Sequence, residues 1–126
     1  FDINTFEHVP ASVLSQPGDL YQSLRWIALM AGRVNCDLAA TTGIHSADAL
    51  IKQLLAGAKA VEIASSLYTH GHGFIQNLLQ GLEKWMDAKS FAAIDDFRGK
   101  MSAKESDNPA VYERVQFMKY FRGYTV

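Results

Sequence analysis

Two short alternating runs, Val34-Asn35-Cys36-Asp37-Leu38-Ala39-Ala40 and Ala60-Val61-Glu62-Ile63-Ala64-Ser65, flank a single amphipathic stretch, and that order limits the folds open to the chain. Each run alternates apolar and polar positions with the two-residue period of a strand. Between them Ser46 is a suitable N-cap, and Ala47, Leu50, Ile51, Leu54 and Leu55 recur at helical spacing up to a stop at Gly57. A helical crossover of about a dozen residues is the minimum that joins parallel strands. The unit is therefore strand, helix, strand, and the fold class expected is α/β. Two parallel strands with helices on their outer side do not close a core. Asp37, Glu62 and both strand edges need neighbours.

The flanking segments read as helices and connections. Leu20, Leu24, Ile27, Ala28 and Ala31 recur at helical spacing, with Trp26, Leu29 and Met30 widening the stripe and Gly32 as a stop, which predicts a helix buried on more than one side. Residues 1–18 carry Pro10 and Pro17 without a sustained period and read as an irregular lead-in. After Gly71-His72-Gly73, a long amphipathic helix carries Ile75, Leu78, Leu79, Leu82, Trp85 and Met86. The polar stretch from Gly99 to Asp107 reads as a loop. Asn108-Pro109 then opens a last helix with Val111, Val115, Met118 and Phe121. The expected division is a lead-in over 1–18, β/α units over 19–101 and a helical tail over 102–126.

Composition removes several function classes. Twelve Lys+Arg against thirteen Asp+Glu leave a formal net charge of -1, which supplies no clustered positive charge for nucleic acid or an anionic membrane. No apolar run reaches the roughly 18 residues of a membrane span, and no basic-then-apolar signal pattern opens the chain. The single Cys36 cannot form an intrachain disulfide, which favours a cytoplasmic setting. Its place in an apolar alternation predicts a buried, inert thiol. The chain begins at Phe1 in what reads as mid-sequence, so a fragment of a longer protein is expected.

Both strand ends run into small residues, Thr41-Thr42-Gly43 after the first and Ala64-Ser65-Ser66 after the second. Small side chains at such turns let backbone N–H groups approach an anion, and a following helix N-terminus adds its positive dipole end. Small residues at strand ends also serve packing, and spacing alone leaves both readings open. Ser66-Leu67-Tyr68-Thr69 is a candidate for the short extra helix often found at barrel phosphate sites. His45 either contacts a ligand or supports the helix start at Ser46. His70 and His72 read as a solvated turn, because a metal site needs three or four ligands and none accompany them; no metal ligand is assigned. Asp95 and Asp96 are adjacent and point about 100° apart on a helix, which suits solvation or helix-start charge better than a shared site. Phe117, Tyr120, Phe121 and Tyr124 suggest a docking surface on the tail.

Four ordered segments resemble the C-terminal end of dihydroorotate dehydrogenases, in a dihydroorotate dehydrogenase-like subgroup. They are Leu38-Ala39-Ala40-Thr41-Thr42-Gly43-Ile44-His45, Leu54-Leu55-Ala56-Gly57-Ala58-Lys59-Ala60-Val61, Ser65-Ser66-Leu67-Tyr68 with Gly71, and Ile94-Asp95-Asp96-Phe97-Arg98-Gly99-Lys100-Met101 preceded by Trp85-Met86 and Phe91. The family shows a Gly-Gly-Ile turn, a Leu-x-Gly-Ala-x-x-Val run, a Gly-Thr-Ala-hydrophobic turn and an Asp-Phe-Arg-Gly-Lys tail in that order. The resemblance implies the C-terminal portion of a (β/α)8 TIM barrel, supplying its seventh and eighth strands. It implies an FMN flavoprotein that oxidises dihydroorotate to orotate in pyrimidine biosynthesis, with FMN as the cofactor. Thr42 and Gly43 fall on the two glycines of the first turn, and Ala64 and Ser65 on the Gly-Thr of the second, whose backbone N–H groups bind the FMN phosphate in the family. Thr42 and Ala64 each add a Cβ where the family has glycine. The family's catalytic base lies upstream of Phe1, so no catalytic residue is assigned and the chain alone is expected to be inactive. Homo-oligomerisation, or association with the rest of the barrel, is expected. Two other readings are a non-catalytic, self-associating α/β module and a barrel whose cup takes a phosphorylated substrate.

Overall fold

The structure, a computed structural model, describes residues 1–8 and 13–113. Helix α1 spans Leu20–Met30 and follows a single 3-10 turn, Pro17–Asp19, that is closed by the Gln16 N–H donating to the Asp19 carboxylate at 2.8 Å. It buries Leu20, Ile27, Ala28 and Leu29 and leaves Tyr21 and Trp26 in solvent, so it is covered on one side and not on two. Strand β1 is Ala39–Ala40, helix α2 Ala47–Ala56 and strand β2 Ala60–Val61. As the crossover requires, the strands pair in parallel, Ala39 opposite Ala60 and Ala40 opposite Val61.

Both strands are shorter than their alternating runs. Neither has a second neighbour among the described residues, and Asn35, Cys36 and Asp37 are exposed and lie outside the ladder. Cys36 is thus an exposed thiol, against the expectation of a buried one. At the other end, Ser65 has left the second strand and begins helix α3, Ser65–His70. The sheet has two unlike faces. Ala40 and Val61 turn toward the helices, while Ala39, Ala60 and Glu62 are exposed on the opposite side.

Helix α2 follows its caps closely. The Ser46 hydroxyl accepts the Ala49 N–H at 3.2 Å, and Gly57 ends the helix at φ +117, a conformation that favours glycine. Helix α4, Gly73–Lys89, packs on α2 where Gly81 meets Ala47; a Cβ on Gly81 would lie 2.3 Å from that of Ala47. The main core lies between these helices, with Leu50, Ile51, Leu54, Leu78, Leu82 and the fully buried Phe97. A second cluster of Ile27, Ala28, Ala40, Ala56 and Ala58 joins α1 to the sheet. Each fully buried Leu, Ile or Phe contributes roughly 1.5–3 kcal/mol.

The stretch from Gly99 to Asp107 is a loop, as expected, and together with the residues before it packs as a strap across the helices. The Asp96 carboxylate accepts the Ala92 and Ala93 N–H groups at 3.0 and 2.8 Å, and Phe97 enters the core edge-on to Trp85 at 4.9 Å. Gly99 and Met101 donate their N–H groups to the carbonyls of Leu54 and Leu55, and Ala103 to that of Ala28. These bonds reach carbonyls in the last turns of α2 and α1, of which Leu54 also accepts the Gly57 N–H, and so a polar sequence lies down here. Helix α5, Ala110–Glu113, is tied to α1 by Arg25, which donates to the carbonyls of Tyr112 and Glu113 at 2.9 and 3.1 Å. Val115, Met118 and the aromatic residues Phe117, Tyr120, Phe121 and Tyr124 lie outside the described residues. Among the described residues, no helix is long and apolar enough to cross a membrane.

Candidate functional site

The turns that leave β1 and β2 open on the same side of the sheet and line one cleft of about 560 Å³. Thr41, Thr42, Gly43 and Ile44 form one wall, and Ile63, Ala64, Ser65 and Ser66 another. All four residues singled out from sequence, Thr42, Gly43, Ala64 and Ser65, are therefore brought together. The lead-in supplies the third wall. Ser15 donates its N–H to the Ser65 hydroxyl at 2.9 Å, and its own hydroxyl accepts the Gly43 N–H at 3.3 Å. That hydroxyl also lies 3.3 Å from Nε2 of His45.

Gly43 has a structural reason to be glycine. It sits at φ +77, and a Cβ there would lie 2.2 Å from the backbone nitrogen of Leu20, so the start of α1 fits against the turn only without a side chain. Thr42 adopts φ +76, a region that costs a β-branched residue of order 1–3 kcal/mol. Buried Gln53 on α2 donates to the Ser23 hydroxyl at 2.8 Å, and the one proton of that hydroxyl is shared between the carbonyls of Leu20 at 3.2 Å and Thr42 at 3.4 Å. The Thr42 and Ala64 N–H groups donate to no protein acceptor among the described residues.

The cleft thus offers unengaged backbone donors, those of Thr42 and Ala64 among them, and the hydroxyls of Ser15 and Ser65. Asp19 and Glu62 also border it, and no lysine or arginine does among the described residues. An anion here would be held by neutral hydrogen-bond donors, not by charge. That donor set fits the phosphate end of a flavin mononucleotide, with Thr42 and Ala64 offering N–H groups and Ser65 a hydroxyl. Ser15, Ser23 and Gln53 were not anticipated from sequence. Gln53 left a signal as a polar residue among Leu50, Ile51 and Leu54, whereas the partners of Ser15 lie 28 to 50 residues away and leave no local trace.

The other candidates are local. His70 stacks on Phe74 at 4.8 Å between centroids. Asp95 pairs with Arg98 while Asp96 caps its own turn, so the two carboxylates do separate work. His45 is the exception, because it reaches the cleft through Ser15.

No family model matches the chain. Curated proteins do match in part. The chain is 28% identical over 86 residues to the dihydroorotate dehydrogenase B (NAD(+)) catalytic subunit of Thermoplasma acidophilum, a stretch that is 68% of this chain and 29% of that protein. It is 26% identical over 85 residues, 68% of this chain and 28% of the relative, to the protein of the same name from Pyrococcus furiosus. To dihydroorotate dehydrogenase A (fumarate) of Lactococcus lactis it is 32% identical over 63 residues, 50% of this chain and 20% of that protein. The chain thus spans less than a third of the length of the curated relatives it matches. Its helix-rich fold, with a small parallel strand pair and a cleft at the strand ends, is compatible with an α/β fragment. More particularly, its partial relatives are dihydroorotate dehydrogenases.

Proposed function

We propose that the chain is the C-terminal part of an FMN-dependent dihydroorotate dehydrogenase-like (β/α)8 barrel and supplies the cup that holds the FMN phosphate. The observation that carries this reading is the convergence of Thr42, Gly43, Ala64 and Ser65, chosen from sequence, on one cleft at the ends of two parallel strands. Ligands of α/β folds bind at the carboxyl ends of the strands. Bound FMN would supply the hydride-accepting chemistry for oxidation of dihydroorotate. The residues of this chain would hold its phosphate end, through the N–H groups of Thr42 and Ala64 and the Ser65 hydroxyl, with Gln53 and Ser23 packed behind the first turn. No residue here is assigned to proton abstraction.

On this reading residues 19–101 are the last two β/α units, and the exposed sheet face at Ala39, Ala60 and Glu62 packs against further strands of the barrel or a second copy. The setting is cytoplasmic, and the substrate is small. Relatives named for NAD(+) and for fumarate both match parts of this chain. The test is orotate formation from dihydroorotate by the natural polypeptide that carries these residues. Turnover that requires FMN supports the reading; a folded, FMN-supplemented protein without turnover overturns it.

A further inference from the structure

We infer that Ser15 and His45 form a proton-responsive donor pair in the cleft, through which protonation of the imidazole strengthens the hold on a phosphate monoester. The inference rests on the phosphate-cup reading above and adds two residues and a regulation to it. Three observations on the Ser15 hydroxyl carry it: it accepts the Gly43 N–H at 3.3 Å, it lies 3.3 Å from His45 Nε2, and its residue lines the cleft.

A serine hydroxyl has one proton to donate and two lone pairs. One lone pair is engaged by Gly43. In the tautomer on which the switch depends, the neutral ring has its proton on Nδ1, Nε2 accepts the Ser15 proton, and the hydroxyl has nothing to offer an anion. When the ring gains its second proton, at Nε2, it donates to the second lone pair of Ser15, and the hydroxyl proton is released toward the cleft. The same event adds a positive charge next to a cleft whose bordering charged groups, Asp19 beside the start of α1 and Glu62 after β2, are acidic, with Asp48 in the first turn of α2 as a further carboxylate near His45 in sequence. Asp19 is itself engaged by the Gln16 N–H. Both consequences favour a dianion or monoanion over a neutral ligand, so the phosphate end responds and an uncharged ring system does not.

The experiment measures FMN affinity by flavin fluorescence from pH 8.0 to pH 5.5, spanning the range in which histidines change charge. It uses the natural polypeptide in three forms: wild type, His45→Ala and Ser15→Ala, with riboflavin as the phosphate-free control. FMN's own phosphate titrates in this range, so the readout is the ratio of wild-type to variant affinity at each pH. That ratio is expected to rise about fivefold or more on acidification for both variants, the scale of one charge-assisted hydrogen bond, and to stay flat for riboflavin. A flat FMN ratio with FMN still bound overturns the inference and leaves the cup reading standing. A pH response that persists in Ser15→Ala overturns the relay. If neither FMN nor inorganic phosphate binds folded wild type, both fall. Should His45→Ala unfold, His45→Gln, which cannot gain a charge, replaces it with the same expectation.

Discussion

At the scale of single residues, the two members of the first turn have opposite relations to the backbone they occupy. Gly43 is required by the approach of Leu20, so Gly43→Ala should lower unfolding free energy by about 2 kcal/mol or more in urea titration, whether or not a ligand is present. Thr42 bears strain that glycine would not, and Thr42→Gly should raise stability by about 1 kcal/mol and tighten FMN binding. A gain in stability without a gain in affinity would separate the turn's geometry from ligand binding. Cys36 is exposed, so the native protein should react with a thiol reagent as fast as the denatured one, and protection in the native state would contradict the placement.

At the scale of elements, α2 is where sequence and structure agree most closely, because its determinants are local: Ser46 caps it, Gly57 ends it, and the stripe of Leu50, Ile51 and Leu54 faces the core. The parallel pairing was also legible, since a helical crossover leaves little choice. The strand lengths were not. Alternation states which face a residue prefers, while the extent of a ladder depends on neighbours, and here Ala39–Ala40 and Ala60–Val61 have only each other among the described residues. Four residues of the cleft were readable from the turns, but Ser15, Ser23 and Gln53 join them by contacts across the fold. The loop over 99–107 was legible, but its packing was not, because its backbone bonds to helix carbonyls that no local pattern announces. Phe97 anchors it against Trp85 and Phe91. Phe97→Ala should therefore cost about 3–5 kcal/mol and release the strap, seen as faster amide exchange at Gly99 and Met101.

At the scale of the whole molecule, the proposed place in a larger barrel rests on two strands with one face in solvent and a cleft that opens at their ends. The exposed face carries Ala39, Ala60 and Glu62, small or charged residues that suit a neighbouring layer and do not form an apolar core of their own. The central claim is that the cleft between the two turns holds FMN. The most direct measurement is the visible absorption spectrum of the natural polypeptide, purified without added cofactor, compared with a Ser65→Ala, Ser15→Ala double variant. A flavin spectrum in the wild type that is weakened or lost in the folded double variant is the predicted result. A colourless wild type that takes up no FMN when it is supplied would contradict the account.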